Sequence, residues 1–142
     1  MTTGREWLSD LFEDVRLKNE RVKKLRDNGE KAVDELRTAV QKDVEFINRE
    51  IYLHEDALEI FADALLSFRV SNDNTEEEVH VELRPEDEAL VLDIPHRREQ
   101  YFFAESDNSG GVYFKDEGRP ISVEAISQRI IEPLVKAEFG LD

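Results

Sequence analysis

The sequence predicts an α+β fold, with a long N-terminal helical hairpin packed on a four- or five-stranded antiparallel meander that is closed by a C-terminal helix. Three observations predict it. Residues 5–66 contain no proline and repeat apolar residues at intervals of three and four. Residues 66–114 form short runs that alternate apolar and polar residues, separated by turn-forming residues. Residues 122–136 return to helical spacing.

The N-terminal segment predicts two helices, because its apolar stripe is interrupted at residues 27–30. The residues Asp27-Asn28-Gly29-Glu30 combine a glycine suited to ending a helix with side chains that can cap the next one. We therefore expect helix 5–27 to fold back on helix 30–66. The stripe consists of Leu8, Leu11, Val15, Val22, Leu25, Val33, Leu36, Val40, Val44, Ile47 and Ile51.

Antiparallel packing of the two arms fits the spacing of this stripe. Pairs such as Leu8 with Ile51 and Leu25 with Val33 keep the sum of residue numbers at 58 or 59, as two antiparallel helices of equal rise require. Trp7 and Phe12 would then lie at the base of the hairpin, and residues 16–26 would project into solvent near its tip. A single helix of about 60 residues and a homodimeric coiled coil are the alternatives.

The strand meander is predicted from runs at 66–70, 79–83, 89–94, 100–104 and 112–114. Short connections between such runs favour antiparallel neighbours. In the run 79–83, Val79, Val81 and Leu83 should face inward. Tyr101 and Phe103 flank an apolar residue, which predicts a central strand that is covered on both sides.

The last helix should begin at Ser122, whose side chain can cap it, with Glu124 in the first turn. Pro133 lacks an amide proton and should kink this helix or start a second one. We divide the chain into a helical hairpin, 1–66, and a sheet with the C-terminal helix, 67–142, which together form one structural unit.

Composition restricts the classes of function. Of the 142 residues, 34 are acidic and 19 are basic, giving a formal charge of −15, which disfavours direct binding to nucleic acid. The sequence has no cysteine, no apolar run long enough for a membrane span and no signal peptide, so we expect a cytoplasmic protein without disulfides. The acidity could also reflect adaptation to a salty environment.

Two charged runs of opposite sign are the candidate interaction surface. Six cations fall within residues 16–26, and carboxylates dominate residues 73–93. The residues selected as candidate protein contacts are Arg16, Lys18, Arg21, Lys23, Lys24, Arg26, Glu76, Glu77, Glu78 and Glu82.

The three histidines do not form a recognisable catalytic or metal-binding pattern. His54 lies on the apolar stripe, which predicts a buried, hydrogen-bonded side chain. His80 should point outward from its strand, and His96 lies in a basic turn with Arg97 and Arg98. We predict no catalytic residue, no metal site and no cofactor.

These features favour a non-catalytic adaptor or regulatory protein that binds another protein, or a second copy of itself, through the projecting hairpin and an acidic sheet surface. One alternative is an acidic decoy or immunity-type inhibitor that occupies the basic cleft of a nucleic-acid-binding enzyme. Another is a small enzyme with a cleft between the sheet and the last helix, near His80 or His96.

Overall fold

The computed structural model describes residues 4–141 and has the α+β layout that the sequence predicts, with a long N-terminal helix, an antiparallel sheet and a C-terminal helix. A 3₁₀ turn at Pro85–Asp87 separates two of the strands. In chain order, the elements are α1 (Glu6–Glu50), β1 (Leu58–Ala64), β2 (Ser67–Asn72), β3 (Glu77–Arg84), β4 (Ala89–Asp93), β5 (Gln100–Ser106), β6 (Val112–Asp116), β7 (Arg119–Ile121) and α2 (Val123–Glu138).

The sheet has seven strands in the order β1-β2-β3-β4-β5-β6-β7, so every strand pairs antiparallel with its neighbours in sequence. The predicted count of four or five strands is therefore too low. Strands β2 to β6 match the five predicted runs. The two additional strands are β1, within the predicted second helix, and β7, which is only three residues long.

The predicted hairpin is wrong, because α1 continues through residues 27–30 as one helix of 45 residues. Gly29 is buried, and a Cβ atom built on it would lie 2.4 Å from Cδ2 of Leu83 on β3. Gly29 therefore allows the helix to approach the sheet closely and does not end the helix. The stripe from Leu25 to Val44 packs on the sheet rather than on a second helical arm.

Helix α1 ends at residue 50 instead of continuing to residue 66. Leu53 and His54 have φ angles of 52° and 73°, outside the helical region. The amide of His54 donates to the carbonyl of Asn48 at 2.8 Å, which completes the turn after the helix. His54 is exposed there, so the prediction of a buried histidine is wrong.

Both helices cover the same face of the sheet and contact each other. Ser127 donates its hydroxyl proton to Asp43 at 2.7 Å, and Ile131 lies among the buried residues of the α2 side. In β3, Val79, Val81 and Leu83 face this core and His80 and Glu82 are exposed, which confirms the predicted alternation. The largest fully buried side chains are Phe68, Phe102, Leu25, Leu36, Leu58, Leu83, Leu90, Leu92, Ile94, Ile126, Ile130 and Leu134.

Helix α2 begins where the sequence predicts. The side chain of Ser122 accepts a hydrogen bond from the amide of Ala125 at 3.1 Å, and Glu124 lies in the first turn. The helix continues through Pro133 to Glu138 as one element. The predicted division at residue 66 falls between β1 and β2, two neighbouring strands of the same sheet.

Candidate functional site

The N-terminal part of α1 extends past the sheet and exposes an apolar surface. We call residues 6–17 the arm. They make about three helical turns and a length of about 18 Å at 1.5 Å per residue. Trp7 is 59% exposed, Leu11 47%, Phe12 71% and Val15 49%. Such a concentration of large apolar side chains on one solvent-exposed helix is typical of an interaction site.

The apolar side of the arm continues the buried side of the same helix. Leu11 and Val15 follow the three- and four-residue spacing that leads to Val22 and then to buried Leu25. Lys18 occupies the intervening stripe position, where an apolar residue would continue the core. A cation at this position marks where the exposed part of the helix begins.

The predicted hairpin assigned the opposite exposure to the two ends of this segment. Trp7 and Phe12 were expected to be covered at the base, and residues 16–26 were expected to project. In the structure, Trp7 and Phe12 are exposed, while Lys18, Arg21 and Arg26 contact the turn before β4. The reversal follows from the unbroken helix, because the described chain has no second helix of a hairpin to cover the N-terminal turns.

Glu88 joins α1 to the corner between the 3₁₀ turn and β4. Its two carboxylate oxygens lie 2.7 Å from Nζ of Lys18 and 2.6 Å from Nε of Arg21. Burial would raise the pKa of Glu88, but hydrogen bonds from the two cations outweigh it and lower the pKa. Arg26 forms a further ion pair with Glu86. The two charged runs of the sequence therefore meet within the chain, through Glu86 and Glu88.

The remaining predicted cations are divided between local pairing and solvent. Arg16 forms ion pairs with Glu13 and, at 2.6 Å, with Glu20 on the same helix. Lys23 and Lys24 are exposed, and neither forms an ion pair with another described residue. The cations are thus mostly neutralised by their own chain.

The predicted carboxylates lie elsewhere, at the β2–β3 turn and along β3. Glu76 is exposed, with a φ angle of 62°. Glu77 lies 3.2 Å from His96, Glu78 accepts from Arg69 at 3.2 Å, and Glu82 accepts from Arg84 at 2.7 Å. The structure does not bring these four residues to the cations of α1.

The sheet face opposite the helices is uncovered and partly aromatic. Tyr101 is 54% exposed and Phe103 is 46% exposed, so the prediction that their strand is covered on both sides is wrong. Only Phe102 and Ala104 of β5 face the core. Around the aromatic side chains, Lys115 pairs with Glu105 at 3.1 Å.

The histidines have separate surroundings. His80 lies 3.5 Å from Glu78 on the uncovered face. His96, whose side chain is 84% exposed, lies at a cavity of about 300 Å³ that is also lined by Arg97, Pro133 and Leu134. Within residues 4–141, no three histidine or acidic side chains lie close enough together to bind a metal ion.

Comparisons with known proteins give no match to a family, to a curated protein or to a solved structure. Across residues 4–141, neither helix combines the length and apolarity needed to cross a bilayer.

Proposed function

We propose that the protein is a non-catalytic protein-interaction protein, of adaptor or regulatory type, that acts through the arm and an acidic sheet surface. The observation that carries the proposal is the apolar side of the arm. Full burial of an exposed aromatic side chain such as Trp7 or Phe12 contributes about 1.5–3 kcal/mol of favourable free energy. Folding of the single chain leaves that free energy unused. The proposal retains the cytoplasmic location expected from the sequence.

A second copy of this chain is the partner that the arm fits. The apolar side of the arm points to the same side as the sheet, so a helix lying parallel on it would run into the sheet beyond Lys18. An antiparallel helix leaves in the opposite direction, past the N-terminus of the arm. Two arms that cross near Leu11 and Phe12 would cover each other and keep both sheets clear.

Charge and area support the same arrangement. Each copy has a formal charge of −15, and antiparallel arms hold the two acidic bodies at opposite ends of the contact. Trp7 and Phe12 are the type of side chain that buries about 150–250 Å². With Leu11 and Val15 they give an interface at the small end of specific dimers, so we expect reversible association.

The acidic-decoy alternative receives less support, because the structure engages many of the carboxylates internally. Glu78, Glu82, Glu86 and Glu88 each accept from an arginine or lysine of the same chain. A decoy would have to break these pairs or use other carboxylates. The decoy function predicts a complex with a basic enzyme, and the affinity of this complex should fall steeply as salt is added.

The cysteine-free sequence allows a direct test of the arm pairing. Under mild oxidation, Leu11→Cys should form a disulfide-linked dimer, because this residue lies beside the crossing point. Leu8→Cys is the matched control, since its two copies would be about 10 Å apart along the helix axis at 1.5 Å per residue. Equal cross-linking of both variants would indicate parallel arms and contradict the proposal.

Association without cross-links provides the second measurement. Light scattering after size exclusion should show a mass rising from 16.5 kDa towards twice that value with concentration. Phe12→Arg should keep the protein monomeric without changing its thermal unfolding, because Phe12 is 71% exposed. A wild-type protein that stays monomeric at millimolar concentration would exclude self-association through the arm.

A further inference from the structure

The edge of β1 that faces away from β2 offers unpaired backbone groups. β1 is the first strand of the sheet, and β2 is its only strand neighbour in the described chain. The carbonyl of Ala57 accepts from the amide of Asp73 at 2.8 Å, so Ala57 bonds towards β2. Antiparallel strands alternate the direction of their backbone groups, and the N–H and C=O of Leu58 therefore point to the open edge.

Asn48 of α1 occupies this edge at one position. Its side-chain Nδ2 donates to the carbonyl of Leu58 at 2.9 Å, and the amide of Leu58 donates to its Oδ1 at 3.0 Å. Asn48 is buried, and its amide makes the two hydrogen bonds that a neighbouring strand would make. This pair shows that the edge accepts a partner in strand geometry.

The next residues with the same orientation are open. By the two-residue alternation, Ile60 and Ala62 also direct an N–H and a C=O to the edge, where no strand of the described chain lies. The regular pairing ends there, because the register of β1 on β2 shifts between Ala62 and Ala64. A β-strand rises 3.2–3.4 Å per residue, so these four groups can pair with a short extended segment. The β-strand pairing that Asn48 begins can therefore continue with another chain.

A groove runs beside this edge, between β1 and the C-terminal turns of α1. Its volume is about 500 Å³. Val44 and Leu58 form its apolar floor, and Gln41, Glu45 and Arg49 line its helical wall. A groove between a strand edge and a helix is the geometry in which extended peptides are bound by strand addition.

The charges around the groove select a basic occupant. Glu45, Asp56 and Glu59 line it, whereas its one arginine, Arg49, pairs with Glu50 at 3.1 Å. The pKa of Glu59 is raised, mainly by the negative charge of Asp73 and further by burial and by Asp56. An added lysine or arginine would relieve this repulsion.

Pairing of the edge with a second copy of β1 brings like charges together in one register. In the register that pairs Ile60 with Ala62 of a second copy, Glu59 of one chain lies opposite Asp63 of the other. Like charges directly opposite each other destabilise paired strands. A basic strand avoids this repulsion.

We propose that the groove between β1 and α1 binds an extended, basic segment of a partner protein by β-strand addition, with main-chain hydrogen bonds to Ile60 and Ala62. Lysine or arginine side chains of the segment lie against Asp56, Glu59 and Glu45. The site is at the opposite end of α1 from the arm and does not depend on it.

Synthetic peptides test the proposal on the full-length protein. The probe is a ten-residue peptide that alternates lysine with threonine or valine, and its control carries glutamate in place of lysine. The basic peptide should shift the NMR amide signals of Ile60 and Ala62, and the acidic peptide should leave them unchanged. Absence of binding by the basic peptide at millimolar concentration, or equal binding of both peptides, would overturn the proposal.

Two further comparisons separate strand addition from simple charge attraction. Ala62→Pro removes an edge amide at an exposed position where proline is tolerated, and it should weaken binding at least tenfold, whereas Ala62→Ser should not. Two further versions of the probe carry N-methyl groups on the odd-numbered or on the even-numbered amides. Only one of these two peptides should lose binding to the wild-type protein, because a paired strand directs alternate amides to its neighbour. Unchanged affinity for Ala62→Pro, or equal effects of the two methylated sets, would contradict main-chain pairing.

Discussion

Gly29 of α1 and Leu83 of β3 are in such close contact that no side chain fits between them. A Cβ atom on Gly29 would lie 2.4 Å from Cδ2 of Leu83, and Leu83 is only 2% exposed. Leu66 lies next to the same position, with its Cδ2 at 3.3 Å. The side chains of Leu83 and Leu66 therefore fill the space next to this glycine.

We predict that Gly29→Ala destabilises the protein although alanine favours helix formation. The gain in helix propensity is about 1 kcal/mol, and the overpacking against Leu83 costs about 1–3 kcal/mol. Urea unfolding should show a net loss of about 1 kcal/mol. The double variant Gly29→Ala with Leu83→Val should lose less stability than the sum of the two single variants, because valine vacates the space that the new methyl group needs. Additive effects of the two substitutions would contradict the contact.

Glu88→Gln should weaken the joint between α1 and the sheet. The glutamine leaves Lys18 and Arg21 without their carboxylate, although both cations remain partly hydrated. We expect a loss of about 1–2 kcal/mol at pH 7, which is the range for a hydrogen-bonded charge that is not fully buried. Chemical unfolding at low and high salt gives the value. Glu86→Gln is the control, because the Arg26–Glu86 pair is exposed and should contribute little.

Tyr52→Phe should destabilise the protein most at neutral pH and least in acid. The phenol of Tyr52 donates to Glu138 at 2.6 Å, and Nδ2 of Asn72 donates to the same oxygen at 2.8 Å. Burial would raise the pKa of Glu138, but hydrogen bonds from Tyr52, Asn72 and Asn74 outweigh it and lower the pKa.

The direction of the pH effect follows from this lowered pKa. A carboxylate with a lower pKa in the folded state stabilises the protein above its unfolded pKa of about 4.3, and this contribution is lost as the pH falls below that value. Because water partly solvates Glu138, removing the phenol should cost no more than about 1 kcal/mol at pH 7 and progressively less between pH 4.5 and pH 2. Unfolding curves across this range test it, and a pH-independent difference between the two proteins would contradict it.

Much of the fold could be predicted from local patterns. The alternation in 79–83 and the cap at Ser122 were predicted at the right residues, because each depends on a few neighbouring side chains. The segment that forms β1 was predicted as part of the second helix, because Leu58, Phe61 and Leu65 continue the three- and four-residue spacing. The helix ends earlier because Leu53 and His54 have left-handed φ angles, and a leucine gives no signal for such an angle.

The hairpin prediction failed because the apolar stripe of a helix does not identify what covers it. The constant residue sum between Leu8 and Ile51 is a property of regular spacing, and the same stripe packs equally well on a sheet. Gly29 was interpreted as a local break, whereas its role depends on Leu83, a residue 54 positions away. The arm was missed as an exposed surface for the same reason, since its composition resembles that of the buried turns.

The consecutive order of the strands has a consequence for how the chain assembles. Each of the six strand pairs joins neighbours in sequence, so the sheet can grow hairpin by hairpin with only short loop closures. The contacts between residues most distant in sequence are those of α1 with β5, β6 and α2, and α2 in turn contacts β2 and β3. A chain interrupted before β5 therefore lacks the partners of α1 in β5, β6 and α2, and it exposes the apolar sides of both layers.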